Sequence, residues 1–171
     1  MNTSTTKYTF FLSLCILLLT NSCGIYSFTG GDTGNAKTIQ INYFPNSAEL
    51  VEPGLSQNFT QSLQDLFLRQ TNLSLVTNNG DLLFDGEISG YRISPMTATS
   101  DQKAAQSRLT IVVNVRYYNT LDEKKNFEKS FSHFYDFEAT QQLTGSLLDS
   151  ALEEIFERIT QDIFNASVAD W

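Results

Sequence analysis

The chain has 171 residues, of which 41% are hydrophobic, and a formal net charge of −8 at pH 7 from 19 acidic and 11 basic side chains. This length allows one domain with a real core. The acidic balance argues against general affinity for nucleic acid or anionic lipid, although it leaves room for a local basic patch. Two cysteines and one histidine are too few for a disulfide framework or a zinc cluster, so we expect no metal and no cofactor.

The N-terminus has the pattern of a secretory signal peptide. Lys7 is the only charge before an apolar run from Phe10 to Leu19, and the run ends at small and polar residues. It is shorter than the roughly 20 apolar residues that a membrane-spanning helix needs. We therefore predict a signal peptide over residues 1–22.

Cys23 follows this segment directly. The junction resembles the lipobox of bacterial lipoproteins, in which the cysteine is lipidated and becomes the first mature residue. Leu19 lies one position further from the cysteine than usual, as in the looser boxes of Bacteroidetes. The resemblance implies a lipid anchor at Cys23, which holds a protein stably when it carries two or more acyl chains. The alternative is an ordinary secreted protein with one spare thiol.

The residues after Cys23 bear on location and on where the domain begins. No acidic run follows the cysteine, and acidic residues there resemble a surface-export tag of Bacteroidetes lipoproteins. We therefore expect the periplasmic side of the outer membrane. Residues 23–36 are rich in Gly, Ser, Thr and Asn and predict a flexible tether, followed by a single domain over residues 37–171.

Apolar periodicity predicts seven elements in this domain. They are a strand at 38–44, a helix at 53–70, strands at 72–77, 82–93, 108–118 and 126–137, and a helix at 146–164. One sheet with both helices on one face buries every apolar stripe. The expected fold is therefore an α+β two-layer sandwich with a mixed, mostly antiparallel sheet in the order β-α-β-β-β-β-α.

Local signals add detail to these elements. Gly86 and Gly90 share a strand face and are expected to admit a helix closely or to mark a bulge. The alternation slips between Phe131 and Phe134, which predicts another bulge. Ser146 is the expected N-cap of the last helix, Pro53 fits a first helical turn, and residues 94–106 form a polar loop.

Catalytic signatures are scarce in this sequence. The chain has no nucleophile elbow, phosphate loop or dinucleotide fingerprint. Asp85 and Glu87 share a strand face and could pair as carboxylates; the simpler interpretation is that they line a solvated face opposite Arg108 and Arg116. His133 is interpreted as structural or exposed. A hydrolase that uses Asp85, Glu87 and His133 remains an alternative.

Basic residues in the second half of the chain suggest an anion-binding surface. Arg108 and Arg116 share one strand face, and Lys124, Lys125 and Lys129 follow in the next turn and strand. If they gather at one end of the sheet, they would suit phosphate groups. The alternative is a mixed, salt-paired surface. The acidic residues that would neutralise it are Asp85, Glu87, Asp122 and Glu123.

A series of segments in order along the mature chain resembles the LptE-type lipopolysaccharide-assembly lipoproteins of Bacteroidetes. The matching segments are 23–30 (CGIYSFTG), 39–46 (IQINYFPN), 55–60 (LSQNFT), 84–91 (FDGEISGY), 108–111 (RLTI) and 126–131 (NFEKSF). None is chemically diagnostic alone, and the specificity lies in the series. The family fold, with helices on one face of a mixed sheet, agrees with the elements predicted above.

The resemblance implies a non-enzymatic outer-membrane role. Its expected partners are the lipopolysaccharide-translocon β-barrel, which the protein would help to assemble and plug, lipopolysaccharide itself, and the membrane through its lipid anchor. The five basic residues then become candidate contacts for the phosphates of the lipopolysaccharide head group. The alternative is a membrane-tethered adaptor or binding module of another envelope complex.

Overall fold

Two helices pack on one face of a five-stranded sheet in the computed structural model, which describes residues 31, 33–96 and 105–169. The predicted signal peptide, Cys23, most of the tether and Trp171 lie outside these residues. The elements are β1 (Thr38–Ile41), α1 (Leu55–Gln70), β2 (Ser74–Leu75), β3 (Leu82–Met96), β4 (Gln106–Asn119), β5 (Phe127–Glu138) and α2 (Gly145–Val168).

The sheet is mixed, with strand order β2-β1-β3-β4-β5. β1 runs parallel to both β2 and β3, whereas β3, β4 and β5 form an antiparallel meander. The predicted α+β class, element order and two-layer arrangement are confirmed. β5 is a long strand at one edge of the sheet, and the two-residue β2 forms the other edge.

Aromatic side chains join the two layers. Phe59 of α1 contacts Phe44 and Phe156 edge-on, with ring centroids 5.3 and 5.4 Å apart. Phe67, about two helical turns further along the same face of α1, lies 4.9 Å from Phe84 of β3 and 5.2 Å from Phe164 of α2. Since each large ring buries much apolar area, these contacts help to hold the helices on the sheet and against each other.

The hairpin of β3 and β4 is longer than predicted. Residues 94–96 pair with residues 106–108, so the expected loop at 94–106 is wrong at its first three residues and at its last. Ladder hydrogen bonds depend on the backbone, and polar side chains do not end a hairpin whose register is already set. The centre of the loop, residues 97–104, lies outside the described residues.

One predicted bulge is confirmed and the other is wrong. The register shifts between Ile88 and Gly90, which leaves Ser89 as the extra residue. Between Phe131 and Phe134 the pairing with β4 continues without a shift. Phe134 instead lies on the sheet face away from the helices, where it breaks the apolar alternation of the sequence.

Three predicted boundaries change. Pro53 precedes α1, whose N-cap is Gly54 at φ 80°, a left-handed conformation that glycine adopts without strain. Thr144, and not Ser146, is the N-cap of α2, which extends to Val168. Ala36, which the sequence pattern places in the tether, is buried in the core. The packed domain therefore begins before residue 37.

Candidate functional site

The sheet has one face that neither helix covers, which we call the open face. Residues of β4 that point towards the helices are buried, including Leu109 and Val113 at 0% exposure. Their neighbours Arg108, Thr110 and Arg116 point the opposite way and are partly exposed. This alternation follows from the period of two along a strand, and it places both predicted arginines on the open face.

Arg108 is held by two neighbours on β5. Its Nε and Nη2 donate to the two carboxylate oxygens of Asp136 at 2.6 and 2.8 Å. Its guanidinium carbon also lies 3.5 Å from the ring centroid of Phe134. The hydrogen bonds from Arg108 lower the pKa of Asp136 below its usual value. A bidentate pair over an aromatic ring gives this end of the open face a defined geometry.

Arg116 forms a separate pair at the other end of β4. Its Nη2 and Nε donate to Asp85 Oδ2 at 2.6 and 3.1 Å. Eight residues separate Arg116 from Arg108, which corresponds to roughly 27 Å along an extended strand. The two arginines therefore cannot contact one phosphate group together.

The three lysines lie in other parts of the domain than the arginine pairs on the open face. Lys129 pairs in register with the buried Val115, so it lies on the helix side of β5, and its Nζ is 5.1 Å from the ring centroid of Phe131. Lys124 and Lys125 belong to a 3₁₀ turn, Glu123–Lys125, between β4 and β5. The expectation that all five basic residues gather at one end of the sheet is wrong. Head-group contact by any one of them stays a prediction.

The alternative hydrolase site is not assembled. Asp85 and Glu87 lie on the open face, where Asp85 pairs with Arg116 and Glu87 accepts a 3.0 Å hydrogen bond from the Ser47 hydroxyl. His133 lies on the helix side of β5, with its Nε2 2.8 Å from Asp162 Oδ2 of α2. A general base on one face cannot reach carboxylates on the other.

In the described part of the chain, no three His, Cys, Asp or Glu side chains are grouped to hold a metal ion. Neither described helix is long and apolar enough to cross a membrane. Every buried side-chain nitrogen and oxygen in the described ranges has a hydrogen-bond partner.

The second surface is the end of the domain where β1 and β3 begin and where β4 and α2 finish; we call it the tether end. Asp81 Oδ2 accepts hydrogen bonds from the Lys37 amide, the Thr38 amide and the Thr38 hydroxyl at 2.9, 3.0 and 2.9 Å. The amide of Lys37 has the largest effect in lowering the pKa of Asp81. These bonds fix the start of β1 against β3.

A small cavity of about 170 Å³ opens at the tether end. Residues 33–35 form one wall, and Leu121, Asp122 and Lys125 form another, with Ser167 and Val168 of α2 beside them. Tyr117 also borders the cavity but is only 1% exposed. Its burial raises the pKa of its phenol to about 12.

The sequence pattern does not indicate four partners of these side chains, which are Asp136, Phe134, Asp162 and Asp81. Asp136 and Phe134 are two residues apart on one strand, a spacing that places them on one face, but their contact with Arg108 depends on the register of two strands. Asp162 lies one position from the apolar stripe of α2. Asp81 accepts its hydrogen bonds from Thr38, 43 residues earlier, so no local pattern in the sequence indicates this contact.

Two solved structures share this fold at low sequence identity. A hypothetical protein from Chlamydia trachomatis matches with a TM-score of 0.52 and 12% identity, over 79% of this chain and 99% of that one. A minor lipoprotein from Acinetobacter baumannii matches with a TM-score of 0.50 and 10% identity, over 77% and 90% of the two chains. No curated protein matches the sequence.

The class defined by this fold is a two-layer α+β domain with an open sheet face. Residues 36–167 match the LptE family, whose description is lipopolysaccharide-assembly. The match covers almost the whole packed domain, from the buried Ala36 to the last turn of α2. The chain belongs to the LptE family.

Proposed function

We propose that the protein is an outer-membrane lipoprotein that binds the lipopolysaccharide-translocon β-barrel, helps to assemble and plug it, and aids the insertion of lipopolysaccharide into the outer leaflet. The observation that carries the proposal is the match to the lipopolysaccharide-assembly family over residues 36–167. The predicted signal peptide and Cys23 support transport out of the cytoplasm and lipid attachment on the periplasmic side.

The chemistry of the described surfaces supports a binding role without catalysis. The open face has aromatic rings at Tyr118 and Phe134, 42% and 43% exposed, each close to one of the two fixed ion pairs. Rigid aromatic side chains with paired polar groups are suited to a protein contact, because little side-chain freedom is lost on binding. The proposed catalytic trio of the alternative hydrolase is divided between two faces.

The test is depletion of the protein combined with pull-down through a tag after Trp171. Loss of the protein is expected to lower the amount of correctly assembled barrel and to leave lipopolysaccharide short of the surface. The tagged protein is expected to bring down a large outer-membrane β-barrel. Unchanged barrel assembly and unchanged surface lipopolysaccharide would refute the proposal, and recovery of another envelope machine would support the adaptor alternative.

The anchor has its own control. Cys23→Ser removes the only site for acyl chains, and we expect a soluble or unprocessed precursor, because the remaining polypeptide has no strong hold on a membrane. If this variant still fractionates with the outer membrane and shows the normal shift from precursor to mature protein, the proposed lipidation is wrong.

The candidate head-group contacts are tested on the intact lipoprotein. Charge reversal of Arg116 and Lys129 is expected to weaken lipopolysaccharide binding at low salt, with less effect at high salt. Exposed charges contribute little to stability, so the variant should keep its fold. Unchanged binding by a folded double variant would assign both residues to ordinary surface.

A further inference from the structure

We propose that the tether end of the domain contacts the bilayer surface that holds the lipid anchor, through the tip of the β4–β5 turn at residues 119–126. Leu121 would insert among the lipids at the interface, and Lys124 would contact their phosphates. This inference rests on the lipidation of Cys23 in the proposed function. It assigns Lys124 to the anchoring membrane and not to transported lipopolysaccharide.

The chain leaves the domain beside this turn. Gly31 lies against the last turns of α2, because a Cβ placed on it would be 2.8 Å from both Phe164 Cζ and Val168 Cγ2. The next residues, 33–35, line the same cavity as Leu121 and Lys125. Gly31 and residues 33–35, from which the chain runs back to Cys23, therefore lie at the same end of the domain as the β4–β5 turn.

Chain length restricts which end can face the membrane. Gly31 lies eight positions after Cys23, and the chain between them spans at most roughly 28 Å when fully extended. The fifteen residues of β3 give the sheet a length of roughly 50 Å. An upright domain with its opposite end on the bilayer would hold Gly31 too far from the surface for Cys23 to reach its lipid. In an upright orientation, the tether end must be the end that faces the membrane.

The turn has the side chains that a membrane interface favours. Leu121 is 54% exposed at its tip, Tyr118 is 42% exposed just before it, and Lys124 is exposed just after it. An apolar tip enters the lipid boundary, tyrosine rings concentrate at the level of the head groups, and a lysine extends its charge to the phosphates.

The turn is also held by hydrogen bonds within the domain, so that binding to lipid would order few additional residues. Asn119 Oδ1 accepts hydrogen bonds from the amides of Leu121 and Asp122 at 2.9 and 3.0 Å. The backbone N–H of Asn119 donates to Asn126 Oδ1 at 2.7 Å, and the backbone N–H of Lys124 donates to Asp122 Oδ1 at 3.2 Å. Asp122 thus acts as a cap. A rigid turn loses little conformational freedom on contact with lipid.

The test uses single labelling cysteines in the full lipidated protein. The mature chain has no cysteine besides Cys23, whose thiol would be blocked by lipid. In the Leu121→Cys variant, an environment-sensitive fluorophore therefore reacts only at position 121. Val51→Cys is the matched control. Val51 is 81% exposed and adjoins Glu52, whose charge acts on Tyr91 far along β3 from the tether end. Both proteins are reconstituted in vesicles of phosphatidylethanolamine and phosphatidylglycerol.

The label at position 121 is expected to have blue-shifted emission, quenching by brominated lipid and protection from aqueous iodide, while the label at 51 stays in water. Adding Lys124→Glu to the Leu121→Cys protein should reduce the lipid quenching. Equal exposure of the two labels on floating vesicles would overturn the inference alone. Failure of the unlabelled protein to float would refute the lipidation in the proposed function, and the inference with it.

Discussion

Replacement of Gly86 by alanine tests the packing between β3, β4 and the segment after β1. A Cβ at this position would lie 2.1 Å from the backbone oxygen of Asn114 and 2.6 Å from Phe44 Cε1. Phe44 is fully buried and packs edge-on against Phe59 of α1. The sequence suggests that Gly86 allows a helix to approach closely. In the structure, the space beside Gly86 is filled by the ring of Phe44 and the backbone of β4.

The size of the effect follows from what obstructs the new methyl group. Overpacking in a core costs about 1–3 kcal/mol of unfolding free energy. Because the nearest atom belongs to the backbone of β4, a rotamer change alone cannot relieve the contact, and we expect a loss of about 3 kcal/mol. For a domain of this size, that loss lowers Tm by roughly 10 °C.

Gly90 provides the matched control on the same strand. Its added Cβ would meet the Val112 side chain at 2.9 Å, on the open face where a side chain has room to shift. We expect Gly90→Ala to cost about 1 kcal/mol or less. Urea unfolding of the mature chain carrying Cys23→Ser, followed by far-UV circular dichroism, measures both variants. Equal stability of Gly86→Ala and Gly90→Ala would refute this account of the packing.

Two further predictions concern pH. The lowered pKa of Asp81 stabilises the fold above its usual value of 3.8, and this contribution is lost as pH falls through the folded-state pKa; Asp81→Asn should therefore flatten the acid side of the stability profile, measured by urea unfolding down to about pH 3. The Tyr117 phenol has its pKa raised from 10.0 to about 12, so stability should fall with rising pH between these values as the unfolded chain ionises. Tyr117→Phe should weaken that alkaline loss and should remove one late-titrating phenol from the absorbance profile. An unchanged profile in either variant would contradict the corresponding bond or burial.

The parts of the fold that repeat along the chain could be predicted from the sequence. Alternation on β4 predicts the side chains that face the core, and these are buried because a strand has a period of two. The buried residues on this face of β4 are Leu109, Ile111, Val113, Val115 and Tyr117. The same argument predicts the apolar stripe of α1, whose period is that of a helix.

The pairings between distant residues could not be predicted. The contact of Arg108 with Asp136 and Phe134 depends on the register of β4 with β5, and no single segment encodes that register. The slip at Phe134 was interpreted as a bulge because a phenylalanine on an open face is unexpected. The guanidinium of Arg108 covers that ring, so the exception has a physical cause that lies 26 residues away in sequence.

The five basic residues illustrate why proximity in sequence is a weak guide to a binding surface. Lys129 and Glu128 are neighbours, yet the strand places them on opposite faces of the sheet. Arg108 and Arg116 share a face, yet each already donates to a carboxylate. Such partly exposed pairs contribute little to stability, so an anionic lipid group competes mainly with the carboxylate and with water. Any lipopolysaccharide contact by these arginines must therefore arise singly, at two places far apart on the open face, and the tether end contributes its own lysine to a different surface.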